Sequence, residues 1–110
     1  MSEISKEKSK FRNTKAWKEF RKQMKENQKI DYLTLSKLTS KYELHHCLLT
    51  DDIEQYKDLD VTKFICLNNM SHSMVHFFYN QMQKDEHFIE RLLSVYNIMK
   101  SLNKNKNNNY

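Results

Sequence analysis

Apolar residues along the chain follow two periods, and the switch between them outlines the fold. From Asn13 or Thr14, either of which supplies an N-cap, the segment TKAWKEFRKQMKEN places Trp17, Phe20 and Met24 at i, i+3 and i+7. That is one narrow helical stripe, with lysine and arginine around the rest. Tyr42–Leu48 (YELHHCL) and Lys63–Leu67 (KFICL) are short aromatic and apolar runs that predict two strands. Between them Thr50–Asp60 reads as an acidic loop with room for a helical turn. Asn68-Asn69 marks a turn into a helix over about 70–84, and Asp85 caps a last amphipathic helix over about 86–102. Its main stripe is Phe88, Leu92, Val95, Met99 and Leu102, widened by Ile89, Leu93 and Tyr96. The polar residues 1–12 predict a flexible basic arm, and the apolar-poor 103–110 a disordered tail. Residues 31–38 read as a connector with apolar anchors. The pattern thus predicts one α+β domain over 13–102.

Composition narrows what such a domain does. The 110 residues include no glycine and no proline. Phosphate-cradling loops, dinucleotide fingerprints and nucleophile elbows need backbone that glycine adopts most easily, so those chemistries are excluded in their usual form. At 38% hydrophobic and 30% charged, the chain supports a core of modest size that an extra staple would help. Residues 1–41 carry 12 Lys/Arg against 5 Asp/Glu, and residues 42–96 carry 4 against 9. Basic ends therefore flank an acidic middle, a balance that suits an anionic partner such as nucleic acid or simply a solvated lysine-rich helix. No apolar run approaches a membrane span or a targeting signal, which predicts an intracellular protein without a membrane partner. Cys47 and Cys66 form neither a disulfide framework nor a Cys-x-x-Cys knuckle, and both read as reduced, buried thiols on the two strands.

Four of the five histidines fall in two pairs, His45-His46 and His72-x-x-x-His76. Residues four apart on a helix share a face, so both imidazoles of the second pair can reach one metal ion. That face is separate from the one formed by Met74, Val75, Phe77, Phe78 and Met82. Either pair alone is commonly incidental, and the two together in the order strand, loop, strand, helix point to a metal site. In a regular strand His45 and His46 point to opposite faces. The arrangement suits a division of labour in which one imidazole binds metal and the other activates a water, since an ordinary His pKa of about 6.5 serves a general base at neutral pH.

Residues 14–80 resemble the HNH, or His-Me finger, endonucleases, and more narrowly small phage-type HNH proteins. The likeness lies in Trp17-Lys-Glu-Phe-Arg21, Asp31-Tyr-Leu-Thr34, Glu43-Leu-His-His46, Phe64-Ile-Cys-Leu67 and His72-Ser-Met-Val-His76. It implies a ββα-metal core over about 42–84, two antiparallel strands with a helix laid across, extended here by an N-terminal basic helix and a C-terminal amphipathic helix. By the same resemblance His46 is the general base, and His45, His72 and His76 hold one divalent ion (Mg, Mn, Ni or Zn). That ion would act at the scissile phosphate. The implied reaction is phosphodiester hydrolysis in nucleic acid, DNA foremost, leaving 5′ phosphates. The family's middle Asn aligns with Lys63, leaving Thr62 or Asn68 as supporting groups, and Leu35 stands where many relatives carry glycine after Asp-x-x-Thr. Lys15, Lys18, Arg21, Lys22 and Lys25 are the expected contacts to the nucleic-acid backbone. Asp51, Asp52, Glu54, Asp58 and Asp60 read as a solvated acidic loop that could supplement the metal site. Two rival readings keep the fold: an inactive nucleic-acid-binding or host-interaction protein, and a structural zinc domain. Either a monomer or a homodimer is compatible with the last helix.

Overall fold

Residues 2–104 are described here, from a computed structural model. They divide into two units, 2–73 and 74–104, with the division falling inside one helix. Among the described residues no helix is long and apolar enough to cross a membrane.

In the first unit the chain begins with a helix where the sequence predicts a flexible arm. Helix α1 (Glu3–Arg12) is capped by Ser2, whose hydroxyl accepts from the Ser5 N–H, with Glu3 in the first turn and Lys10 and Arg12 in the last. What holds it is long-range. The Phe11 ring lies 5.8 Å from Trp17 and 6.0 Å from Tyr56, and the Arg12 guanidinium donates to the Tyr56 hydroxyl at 2.6 Å. One aromatic residue in ten leaves no periodic signal, which is why the local pattern reads as an arm. Helix α2 (Lys15–Gln28) starts at Thr14, whose hydroxyl accepts from Trp17 N–H, and buries Trp17 and Met24 as its stripe predicts. It ends at Lys29 in the left-handed region, φ 67°.

Strands β1 (Tyr42–His46) and β2 (Phe64–Asn68) pair antiparallel, with Leu44 opposite Cys66 and His46 opposite Phe64. Between them lie a single-turn helix, α3 (Ile53–Tyr56), and a 3-10 turn over Val61–Lys63. Alternation assigns the sheet two faces. Tyr42, Leu44, Phe64 and Cys66 meet Trp17, Met24 and Leu38 in the core, with Phe11, Phe20 and Leu59 packed around it. The other face carries His45, Ile65 and Leu67. Burial pushes the Cys66 thiol above its usual pKa, although Arg21 and Lys25 oppose the shift. Cys47, expected to be buried, lies just past the end of β1 and is exposed.

The connector 31–38 is the most ordered surprise. Asp31 is fully buried, and its carboxylate accepts from Leu33 N–H and Thr34 N–H at 2.8 Å each and from Asn68 N–H at 2.7 Å. Leu35 closes this turn with φ 64°, a left-handed backbone that glycine adopts more easily. The outer edge of β2 is met by side chains. Gln28 donates to Cys66 O at 2.7 Å and accepts from Cys66 N–H at 2.8 Å, which satisfies backbone groups that a third strand would otherwise take.

Helix α4 (Asn69–Lys84) follows β2 without a loop. In the second unit its later turns precede α5 (Phe88–Leu102), which begins two residues later than the sequence predicts. Asp85 accepts from His87 N–H and pairs with Arg91, so it ties the turn between the helices and does not cap α5 at Glu86. Phe77, Phe78 and Phe88 form an aromatic trio with centroids 5.8 to 6.0 Å apart. Asn103 closes α5 by donating twice to Met99 O, and Lys104 follows it in a turn, while residues 105–110 of the expected tail lie outside the described region.

Candidate metal centre

Two elements deliver the three imidazoles. Alternation along β1 turns His45 to the face away from the aromatic core, where it is buried and its ring stands edge-on to His72 at 5.2 Å. One helical turn later α4 presents His76. Nitrogen atoms of His45, His72 and His76 all lie within 4.8 Å of one another. An ion about 2.1 Å from each of three nitrogens in a tetrahedral arrangement wants them about 3.4 Å apart, so the trio fits a metal after small rotations. Exposure grades from buried His45 through half-buried His72 to exposed His76. The group is therefore open on one side, as a site that keeps a position for water or substrate must be.

Asp31 and Ser71 fix the start of the helix that carries two of these ligands, and neither stands out in the sequence as a functional residue. Ser71, buried beside His72, hydrogen-bonds the Asp31 carboxylate, and the Asn68 N–H just ahead of α4 donates to the same group. Burial alone would raise the Asp31 pKa. The bonds from Thr34, Asn68, Ser71 and Leu33 outweigh it and hold the carboxyl below its usual value. The signal available in the sequence was the Asp-x-x-Thr spacing, a side-chain-to-backbone turn signature.

His46 lies elsewhere. Its ring stacks on Phe64 at 4.4 Å and 12°, with Tyr56 at 5.4 Å, on the core face of the sheet and not on the face of His45. Its Nε2 is covered and has no hydrogen-bond partner. Desolvation first, then the charges of Lys63 and Lys8, lower its pKa below the usual histidine value, against a smaller opposing effect of Asp58.

The remaining expected site residues have structural occupations. Asn68 spends its side chain on the 37–39 loop, accepting from Thr39 N–H at 2.8 Å and donating to Lys37 O at 3.1 Å. Thr62 bonds Asp60, which caps the 3-10 turn. Lys63 pairs with Asp58 at 3.1 Å. The acidic loop is used for caps and pairs: Asp52 caps α3, and Asp51 meets Lys8 at 3.3 Å. On α2, Lys18 and Lys22 are exposed and Lys15 lies near Glu19. Arg21 is committed to the fold, donating to Tyr42 O at 2.6 Å with its guanidinium 3.8 Å above the Tyr42 ring, and Lys25 Nζ lies 4.8 Å from the same ring.

Compared with known proteins, the chain matches no family model, no curated sequence and no solved structure.

Proposed function

We propose that the chain is a metal-dependent endonuclease that hydrolyses phosphodiester bonds in nucleic acid, DNA foremost. The observation that carries this reading is the convergence of His45, His72 and His76 from a strand and the helix after β2. The HNH-like segments of the sequence and the exposed Lys18 and Lys22 on α2 agree with it. A bound divalent ion would supply positive charge at the scissile phosphate and at the departing oxygen. His45, His72 and His76 would hold it, and Asp31 with Ser71 keeps the first turn of α4 in place so that both helical ligands stay aimed. Lys18 and Lys22 would bind the phosphate backbone in a salt-dependent way. His46 is the candidate base, and its task is to take a proton from the attacking water.

A second reading is favoured by one observation, the stacking of His46 on Phe64 on the core face of the sheet. A protein that holds the metal and binds nucleic acid without cutting needs no base on the metal face. Nicking of supercoiled plasmid with Mg²⁺, Mn²⁺, Ni²⁺ and Zn²⁺ decides between them, using wild type, His46→Ala and His72→Ala. Nicking lost in both variants supports the nuclease and both roles. Nicking that survives His46→Ala removes the base assignment, and nicking that survives His72→Ala removes the metal site. Metal binding without cleavage in any metal establishes the second reading.

A further inference from the structure

The turn over 31–36 displays three large apolar side chains within four residues. Tyr32, Leu33 and Leu35 are 65, 46 and 68% exposed. Single exposed residues of this kind are ordinary, but here three share a backbone that is fixed beneath them. The buried Asp31 carboxylate accepts from Leu33 and Thr34 N–H, and the Asp31 carbonyl accepts from Leu35 N–H at 2.8 Å. Tyr32 N–H donates to Cys66 O at 3.2 Å, which pins the turn to β2. A turn held this firmly offers its side chains with little conformational entropy left to lose on binding.

Charge indicates the ligand. From residue 29 to residue 41 the chain carries Lys29, Lys37 and Lys41, all exposed, while its one acid, Asp31, is turned inward. Where the end of α2 meets the turn, Lys25, Lys29 and Lys37 outnumber Glu26 around an apolar groove floored by Ile30 and Leu38. We propose that this turn is a stacking site for single-stranded nucleic acid. An unstacked base lies on the Tyr32 ring with Leu33 and Leu35 beside it, and Lys29 and Lys37 hold the neighbouring phosphates. The inference rests on the proposed function and narrows its substrate to strands with an accessible base face, which a closed duplex covers. The Asp31 carboxylate that shapes the turn also takes Asn68 N–H and the Ser71 hydroxyl, so the turn is anchored to the start of the helix that carries His72. One polyanionic strand has use for the lysines, the aromatic ring and an ion held by the imidazoles. A lipid surface or a partner protein's pocket would engage the apolar tip and leave that ion without a task.

Fluorescence anisotropy of a short labelled DNA strand, free and annealed to its complement, tests this with the full chain, probe integrity being checked on a gel. Co-sedimentation with phosphatidylserine vesicles runs beside it. The single strand should bind about fivefold or more tighter than the duplex. Tyr32→Ala should lower single-strand affinity by about 5- to 150-fold, the worth of one stacked base. Because Tyr32 is exposed, the same variant should keep the urea midpoint and the duplex affinity of wild type. Tyr32→Phe should restore strand binding. Leu35→Asn puts in a residue that tolerates left-handed backbone, and should weaken the strand complex by about fourfold or more, the loss of one buried methylene. Equal affinity for strand and duplex, strand affinity indifferent to Tyr32→Ala, or binding to vesicles with none to the strand each overturns the proposal. Plasmid nicking by the same variants separates it from the nuclease reading. Nicking by a protein whose strand affinity ignores Tyr32→Ala keeps the nuclease and removes the stacking site. A Tyr32-dependent strand complex that cuts in no metal keeps the stacking site and removes the nuclease.

Discussion

Replacing Asp31 tests how the candidate metal site is held together. Its carboxylate is fully buried and takes three backbone N–H groups and the Ser71 hydroxyl. In Asp31→Ala the donors of Leu33 and Thr34 fall in an exposed loop where water can reach them, a loss of about 0.5–1 kcal/mol each. Asn68 N–H and the buried Ser71 hydroxyl have no such replacement, and each costs about 1–3 kcal/mol when left unpaired. The sum is about 3–8 kcal/mol, a large part of the roughly 5–15 kcal/mol that holds a small protein folded. Asp31→Asn keeps the oxygen facing Leu33 and Thr34 but turns an NH₂ toward Asn68 N–H, for a loss of about 2 kcal/mol. Urea unfolding followed by the fluorescence of Trp17, the only tryptophan and a core residue, reads both. The acid limb supplies an independent sign. The folded carboxyl lies below its usual 3.8, so its contribution is fully present above that pH and is lost as pH falls through the lowered value. Asp31→Asn should flatten that limb. A stability within about 0.5 kcal/mol of wild type for Asp31→Ala would refute the reasoning.

Leu35→Gly should stabilise the protein by about 0.5–1 kcal/mol, the relief of left-handed strain less the entropy glycine adds to the unfolded chain. Its side chain is 68% exposed and little burial is lost, so an unchanged or lower urea midpoint contradicts this. Metal should stabilise the fold: at about 100 times its dissociation constant a bound ion adds about 2.7 kcal/mol to wild type, read as a rise in the unfolding midpoint. His72→Ala should lose that rise, and a chelator should remove it from wild type. Arg21→Ala should cost about 1–3 kcal/mol by stripping the charge-assisted bond to Tyr42 O, measured in the same denaturation assay. Lys18→Ala and Lys22→Ala should leave stability alone, and each should lower the slope of nucleic-acid affinity against salt by roughly one.

The periodic parts of the molecule are legible in its sequence. The Trp17–Met24 stripe, both strands to within two residues, and the helix bearing His72 and His76 follow from apolar spacing alone. The joint placement of His45 with that pair is instead what the HNH resemblance implies, since strand alternation separates His45 from His46 without saying which of them faces the helix. What escapes is held by single long-range contacts. Helix α1 depends on Phe11 and Arg12 finding Tyr56, more than forty residues away, and no local pattern encodes that meeting. Asp31 escapes because a lone carboxylate gains its importance from the backbone it gathers. Arg21 and Lys25 read as surface cations on a helical wheel, and Tyr42, distant in sequence, draws them inward. For Cys47, a strand that ends two residues earlier, at His46, turns a position expected to be buried into an exposed one.

The Gln28 side chain on β2 has a consequence for how the protein behaves when concentrated. A two-stranded sheet is open to growth, since an unfilled strand edge offers another chain a template for fibril extension. The Gln28 amide on both polar groups of Cys66, joined by Tyr32 N–H on the same carbonyl and by the Asp31 carboxylate on Asn68 N–H, blocks that template without any further strand. Its loss in Gln28→Ala would expose a short, aromatic, glycine-free edge of the kind that seeds aggregates. Gln28 thus acts as a gatekeeper of that edge.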